Sequence, residues 1–270
     1  MTDDPIVVVG AARTPIGGFQ GVLTGASGPH PGASAIEAAL ERSGDALDTI
    51  DEVLMGCVLA AGQGQAPARQ AALGAGLPLG VGCTTVNKMC GSGMKAVMLA
   101  HDQIQAGSST IVVAGGQESM TNAPYLLPRA RSGLRLGHAD VIDHMFLDGL
   151  EDAYEPGRLM GSFAEDCADH YSFSREDQDD YAIESLTRAT EAIESGAFAS
   201  QITRVTVSTR GEDVTVDTDE QPQTANIEKI PQLKPAFRKG GTVTPANSSS
   251  ISDGAAALVL MRLSEAERGG

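Results

Sequence analysis

Cys90 stands in Asn87-Lys88-Met89-Cys90-Gly91-Ser92-Gly93-Met94, directly after the β-branched run Thr84-Thr85-Val86 and just before a helical pattern that ends at Gly107. That order reads as strand, tight turn and helix, with the sulfur at the turn. Gly91 and Gly93 permit a sharp reversal with close backbone approach, and the first turn of a helix favours an anion. The thiolate is the nucleophilic form of cysteine, so the placement suits an acyl-accepting group. A buried structural thiol fits the turn alone equally well.

Other reactive side chains are less suggestively spaced. Cys167 and His170, within Glu165-Asp166-Cys167-Ala168-Asp169-His170, lie one helical turn apart. No second pair of metal ligands has a fitting spacing, so a solvated acidic helix face is expected there and no metal. His30, in Gly28-Pro29-His30-Pro31-Gly32, reads as a surface residue of the first loop. Gly62-Gln63-Gly64 lacks the later glycine and the helix that a dinucleotide loop requires.

The elements that must position these groups follow from periodicity. Ile6 to Val9, an apolar run closed by Gly10, predicts a strand buried on both faces and central in its sheet. Val53-Leu54-Met55 and Ile111 to Ala114 predict two more strands; helices are predicted over about 34–42 and from Pro67 to Ala75. After Cys90, the side chains of Met94, Val97, Met98 and Ile104 fall near one helical face. Strands alternating with helices predict an α/β fold with a mostly parallel sheet between helices. Sites in such sheets gather at the carboxyl ends of strands, where Cys90, Gly116 and Glu118 stand.

From about Met120 the period is lost, and 124–143 mixes proline and glycine with Arg129, Arg131 and Arg135. Ser174-Arg175-Glu176-Asp177 predicts a capped helix running to Gly196, and Val205 to Val207 with Val214 to Val216 a hairpin around Gly211. Ala255 to Met261 predicts a strand that returns to the core. An inserted α+β unit over 121–242 therefore interrupts a sheet domain built from 1–120 and 243–270.

With 41% apolar residues in a chain of 270, a sizeable core can be buried. The net charge of −16 argues against a nucleic-acid partner, and an anionic ligand would need a local basic group. No apolar run is long enough for a membrane span, and the start Met1-Thr2-Asp3-Asp4-Pro5 is acidic where a secretory leader is basic. Cys57, Cys83, Cys90 and Cys167 lie in unlike contexts without framework spacing. A cytoplasmic protein with free thiols is expected.

Asn87 to Met94, together with Val113-Ala114-Gly115-Gly116-Gln117-Glu118-Ser119-Met120 and Asn247-Ser248-Ser249-Ser250-Ile251-Ser252-Asp253-Gly254-Ala255-Ala256-Ala257, closely resembles the thiolase family. Ala11 to Gly17 and Gly62 to Gln70 agree with it, all in collinear order. The resemblance implies a thiolase-fold half-domain with an inserted loop domain for CoA binding and oligomerisation. It implies acyl transfer between CoA thioesters, by thiolysis or Claisen condensation, and is strongest to members acting on acetoacetyl-CoA. Cys90 is then the acylated nucleophile. Leu150 and Met160 match residues around the adenine, Phe237 an aromatic wall of that pocket, and Ser249 a serine near the pantetheine amide. Ordinary core packing would use Leu150, Met160 and Phe237 just as readily.

CoA enters as substrate, no further cofactor is expected, and the family forms dimers and tetramers. Leu159 replaces a histidine of some members, Ser250 replaces a glycine, and Pro222-Gln223 stand where an arginine near the adenine is usual. The family's proton-transfer groups come from a Gly-His-Pro motif and a second cysteine in a C-terminal half-domain. Neither motif occurs in these 270 residues, so the chain by itself is expected not to turn over. A longer-chain 3-ketoacyl-CoA thiolase, or a non-catalytic half that binds CoA or a partner subunit, are the alternatives.

Overall fold

A computed structural model describes residues 4–44, 49–209 and 211–269; Met1, Thr2, Asp3 and Gly270, read above as parts of the chain's ends, lie outside the described residues. In chain order the elements are β1 (Ile6–Arg13), β2 (Gly17–Gly18), α1 (Pro29–Ser43), β3 (Glu52–Gly56), α2 (Pro67–Gly74), β4 (Gly82–Val86), α3 (Ser92–Ala106) and β5 (Val112–Ser119). There follow β6 (Tyr125–Leu126), β7 (Ile142–Asp143), α4 (Met160–Tyr171), α5 (Arg175–Glu194), β8 (Val205–Thr209), β9 (Glu212–Val216), α6 (Glu220–Thr224), β10 (Ser252–Arg262) and α7 (Leu263–Gly269). They form two compact units: Met1–Asn122 with Ala199–Asp219 and Ser252–Gly270, and Ala123–Phe198 with Glu220–Ile251.

The first unit holds the sheet, in the order β1-β10-β5-β3-β4 with β2 beside β10. β3 pairs in parallel with β4 and β5, while β10 runs antiparallel to β1, β2 and β5. Five strands therefore point one way and β10 alone opposes them, which is the mostly parallel α/β sheet that the sequence predicts. Successive residues of a strand face opposite sides. Val53, Met55, Val113 and Val259 pack with Ile36, Ala39, Leu40 and Ala71 of α1 and α2. Leu54, Val112, Ala114 and Leu260 pack with Ala96, Ala100 and Ile104 of α3. Coverage on both faces is why these strands read as continuous apolar runs.

Three expectations change. β1 is an edge strand, laddered to β10 and otherwise only bridged at Arg13 to Ile202, and with α1 on one face its Val8 stays 51% exposed. Helix α1 begins at Pro29, because proline in the first turn gives up an N–H that has no helical partner anyway; His30 is exposed on that turn. In α3 the buried stripe is Ala96, Ala100 and Ile104, with Met94 and Met98 left at 74% and 52% exposure. A helix lying close to its sheet takes small side chains on the contact face.

The hairpin β8–β9 belongs with the sheet unit and not with the insertion. Val205, Val207 and Val216 pack on Leu23 and Ala26. Arg13 fastens the hairpin: its N–H donates to the Gln201 carbonyl at 3.0 Å, and its guanidinium forks onto Asp219 at 2.8 and 2.9 Å. The sheet unit resumes at Ser252, later than the 243 expected.

In the second unit, Ser174 caps α5 by accepting from the Asp177 N–H at 3.0 Å while Asp177 accepts from the Ser174 N–H at 3.2 Å, the reciprocal box that the sequence predicts. Residues 146–150 form a π-helical turn and 227–232 a 3-10 turn. Among the described residues no helix is long and apolar enough to cross a membrane.

Candidate active site

Cys90 sits between the end of β4 and the first turn of α3, one residue before Gly91, and is exposed. The turn that holds it is closed by side chains. Met89 N–H donates to Asn87 Oδ1 at 3.0 Å; Lys88 N–H donates to Ser92 Oγ at 2.9 Å; Ser92 Oγ donates to the Met89 carbonyl at 2.5 Å. Met89 takes a left-handed conformation with φ 49°. For a side chain larger than glycine that costs about 1 kcal/mol, and the three bonds offset it. Ser92 is buried, so the hydroxyl that locks the turn is shielded from water while the neighbouring thiol is presented to it.

The helix carrying this turn is set against bare backbone. Gly56 and Gly116 are paired across β3 and β5, and a Cβ on Gly56 would stand 2.6 Å from Gly93 N and 2.7 Å from Ser92 atoms. Glu118, at the end of β5, steadies the turn after β3. Its Oε2 accepts from the Val58 N–H at 2.7 Å and its Oε1 from the Leu59 N–H at 3.2 Å. Cys57 Sγ lies 3.6 Å from the same carboxylate. Burial first, and then the Glu118 charge, push the Cys57 thiol up to about 12 from the ordinary 9.0. Of the four free cysteines Cys57 is thus held as an inert thiol, and Cys90 and Cys167 are exposed.

This difference predicts a pH effect. Between pH 9 and 12 the unfolded chain releases the Cys57 proton and the folded chain retains it, so stability falls as pH rises through that window. Denaturant midpoints followed against pH should fall less steeply there for Cys57→Ala than for the parent chain.

In the second unit, Leu150 ends the π-helical turn, and a single antiparallel bridge between Glu151 and Leu159 sets Leu150 beside Met160. Gly161 follows, and a Cβ there would overlap the Phe237 ring. Leu150, Met160 and Phe237 are therefore gathered in one place, with Met160 at 45% exposure and the other two half-buried. Ser249 lines a cleft of about 830 Å³ between α5, residues 221–233 and residues 245–250, and the other three lie outside its lining.

The profile described as "Thiolase, N-terminal domain" matches residues 6–264. The chain belongs to the thiolase family. Thiolases similar to it include the acetyl-CoA acetyltransferase of Pseudomonas aeruginosa, 49% identical over 97% of this chain and 67% of that protein. Acetyl-CoA acetyltransferase 2 of Arabidopsis thaliana is 52% identical over 95% of this chain and 64% of its own length. The crystal structure of the Bacillus anthracis acetyl-CoA acetyltransferase superposes with a TM-score of 0.94 at 40% identity, over 99% of this chain and 68% of that one. The chain thus spans about two thirds of the length of these thiolases.

Two parts of this thiolase chain were not visible as site-forming in the sequence. Glu165, expected on a solvated helix face, is 1% exposed. Its oxygens accept from the Thr242 N–H at 2.9 and 3.0 Å and the Val243 N–H at 2.9 Å, with Arg238 closing over them. A buried carboxylate needs such donors, and the missing side chain of Gly241, whose Cβ would collide with it, makes room for it. Next to it, Asp179 accepts from Arg175 Nε at 2.6 Å and Asn247 Nδ2 at 2.9 Å, pinning the segment that leads to Ser249. Cys167 and His170 are exposed, and among the described residues no group of three or more His, Cys, Asp and Glu side chains could hold a metal ion. Glu165→Ala orphans buried donors and should cost about 3 kcal/mol, read as a lowered denaturant midpoint with unchanged slope.

Proposed function

We propose that this chain contributes the nucleophile and CoA-binding residues of an acetyl-CoA C-acetyltransferase. The observation that carries the reading is the exposed Cys90 held at the strand-to-helix turn by Asn87 and Ser92, in a chain whose relatives bear that name. The Cys90 thiolate attacks the carbonyl carbon of acetyl-CoA, the C–S bond to CoA breaks, and CoA leaves as a thiolate that takes up a proton. The acetyl group then passes either to the α-carbon of a second acetyl-CoA or back to CoA. Those later steps need a base, which the resemblance assigns to motifs outside these 270 residues. Leu150, Met160, Phe237 and Ser249 serve the CoA moiety, and the chemistry calls for no other cofactor.

The free thiols support a cytoplasmic location, although the similar mouse acetyl-CoA acetyltransferase is named mitochondrial. The outer edge of β4, which has no partner strand among the described residues, supports self-association into dimers that pair as tetramers. The experiment is incubation with acetyl-CoA followed by peptide mass mapping. One acetyl group on the peptide containing Cys90 is expected, and acetylation confined to Cys167 or absent altogether would overturn the reading.

A further inference from the structure

Of the five histidines only His144 is buried, at 6% exposure. Its N–H donates to the Pro124 carbonyl at 3.2 Å, and its Nδ1 lies 2.6 Å from Asp148 Oδ2. A carboxylate accepts and does not donate, so Nδ1 carries the proton of that bond. Asp148, its side chain 49% exposed, sits within the π-helical turn 146–150, which the Glu151 N–H closes by donating to the Phe146 carbonyl at 2.8 Å. The turn stands alone: β7 ends at Asp143 just before it, and α4 begins only at Met160. Single π-turns are rare and recur at functional sites. This one is held on one side by the bond between His144 and Asp148 and on the other by the bridge between Glu151 and Leu159. Leu150 lies between the two fastenings.

We infer that His144 and Asp148 are positioning residues that fix the π-turn so that Leu150 stands beside Met160 and Phe237, and that the preference for a nucleotide-bearing thioester over one ending at pantetheine depends on them. The inference rests on the CoA-thioester reading given above. A π-turn holds one residue more than an α-turn, so relaxation to α would swing every later side chain about 100° round the axis and take Leu150 away from Met160. The buried ring supplies a fixed point against that movement. Asp148 is too exposed to add much packing, so what it contributes is direction and not stability.

The test is equilibrium binding of CoA and of pantetheine to the chain and to Asp148→Ala. The affinity for CoA relative to pantetheine should fall about tenfold in Asp148→Ala and return to within about threefold of the parent in Asp148→Asn, whose amide oxygen still accepts from Nδ1. His144→Phe, which fills the buried space but cannot donate, should lose the same factor, and the double variant should lose no more than either alone. An unchanged ratio in Asp148→Ala, equal losses for both ligands, or additive losses in the double variant would remove the pair from this role. If Cys90 of the parent still takes up acetyl from acetyl-CoA, those results leave the proposed function standing; failure of the parent chain to bind CoA at all would take both down together.

Discussion

Cys90→Ala takes up no acetyl group from acetyl-CoA, while Cys167→Ala is acetylated at the parent rate. The expectation follows from how differently the four thiols are held. Cys57 is buried against Glu118 with its proton retained to about pH 12, and burial also raises the half-buried Cys83. Cys167 is exposed, but on the eighth residue of α4 and without a turn built around it. Cys90 alone stands at the positive end of a fifteen-residue helix. Removing a nucleophile that forms the covalent intermediate costs several orders of magnitude in rate, so the difference between the two variants is all or none. Intact-mass measurement after exposure to acetyl-CoA reads it directly. The folded signal by circular dichroism should not change in Cys90→Ala, since an exposed side chain on a turn fixed by other residues contributes little packing.

Gly56→Ala should be strongly damaging. The added Cβ meets backbone atoms of Ser92 and Gly93 at 2.6 to 2.7 Å, and backbone cannot rotate away as a long side chain could. Either α3 lifts from the sheet or β3 bends. Both disturb the contact of Leu54 with Ala96 and Ala100, and a loss of about 3 kcal/mol is expected. The displaced end of α3 is the one that carries Ser92, so acetylation of Cys90 should slow as well. Gly80→Ala is the control, because nothing lies within 4 Å of its Cβ and its φ is not positive; its stability should stay within about 0.5 kcal/mol of the parent. Equal denaturant midpoints for the two variants would refute the account of the glycine contact.

Much of this was legible beforehand, for identifiable reasons. β3, β5 and β10 are covered on both faces, so burial leaves unbroken apolar runs that cannot be mistaken for loops. The start of α5 was legible because a capping box is local chemistry, written in four consecutive residues. The turn at Cys90 was legible for the same reason. What failed depends on partners far away in the chain. The run Ile6 to Val9 carries no mark that β1 would find only one neighbour. Glu165 reads as one more acidic residue on a polar helix until the N–H groups of Thr242 and Val243 arrive more than seventy residues later. Arg13 and Asp219 are 206 positions apart, which hid the attachment of the hairpin to the sheet unit. The long apolar side chains of α3 do not mark its buried face, because the close contact with Leu54, Val112 and Ala114 selects the small side chains of Ala96 and Ala100.

The place of β10 bears on the order in which the chain can fold. It lies between β1 and β5, yet it leaves the ribosome well over a hundred residues after β5. Until Ser252–Arg262 has been made, β1 has no partner strand along most of its length and β5 has one open side, so the growing polypeptide carries unsatisfied strand edges through the synthesis of the whole inserted unit. Closing the sheet then requires joining segments of high sequence separation, a step that loop entropy slows. Completion of this core thereby waits on the synthesis of β10, and chaperone dependence should concentrate in the interval before that strand is added.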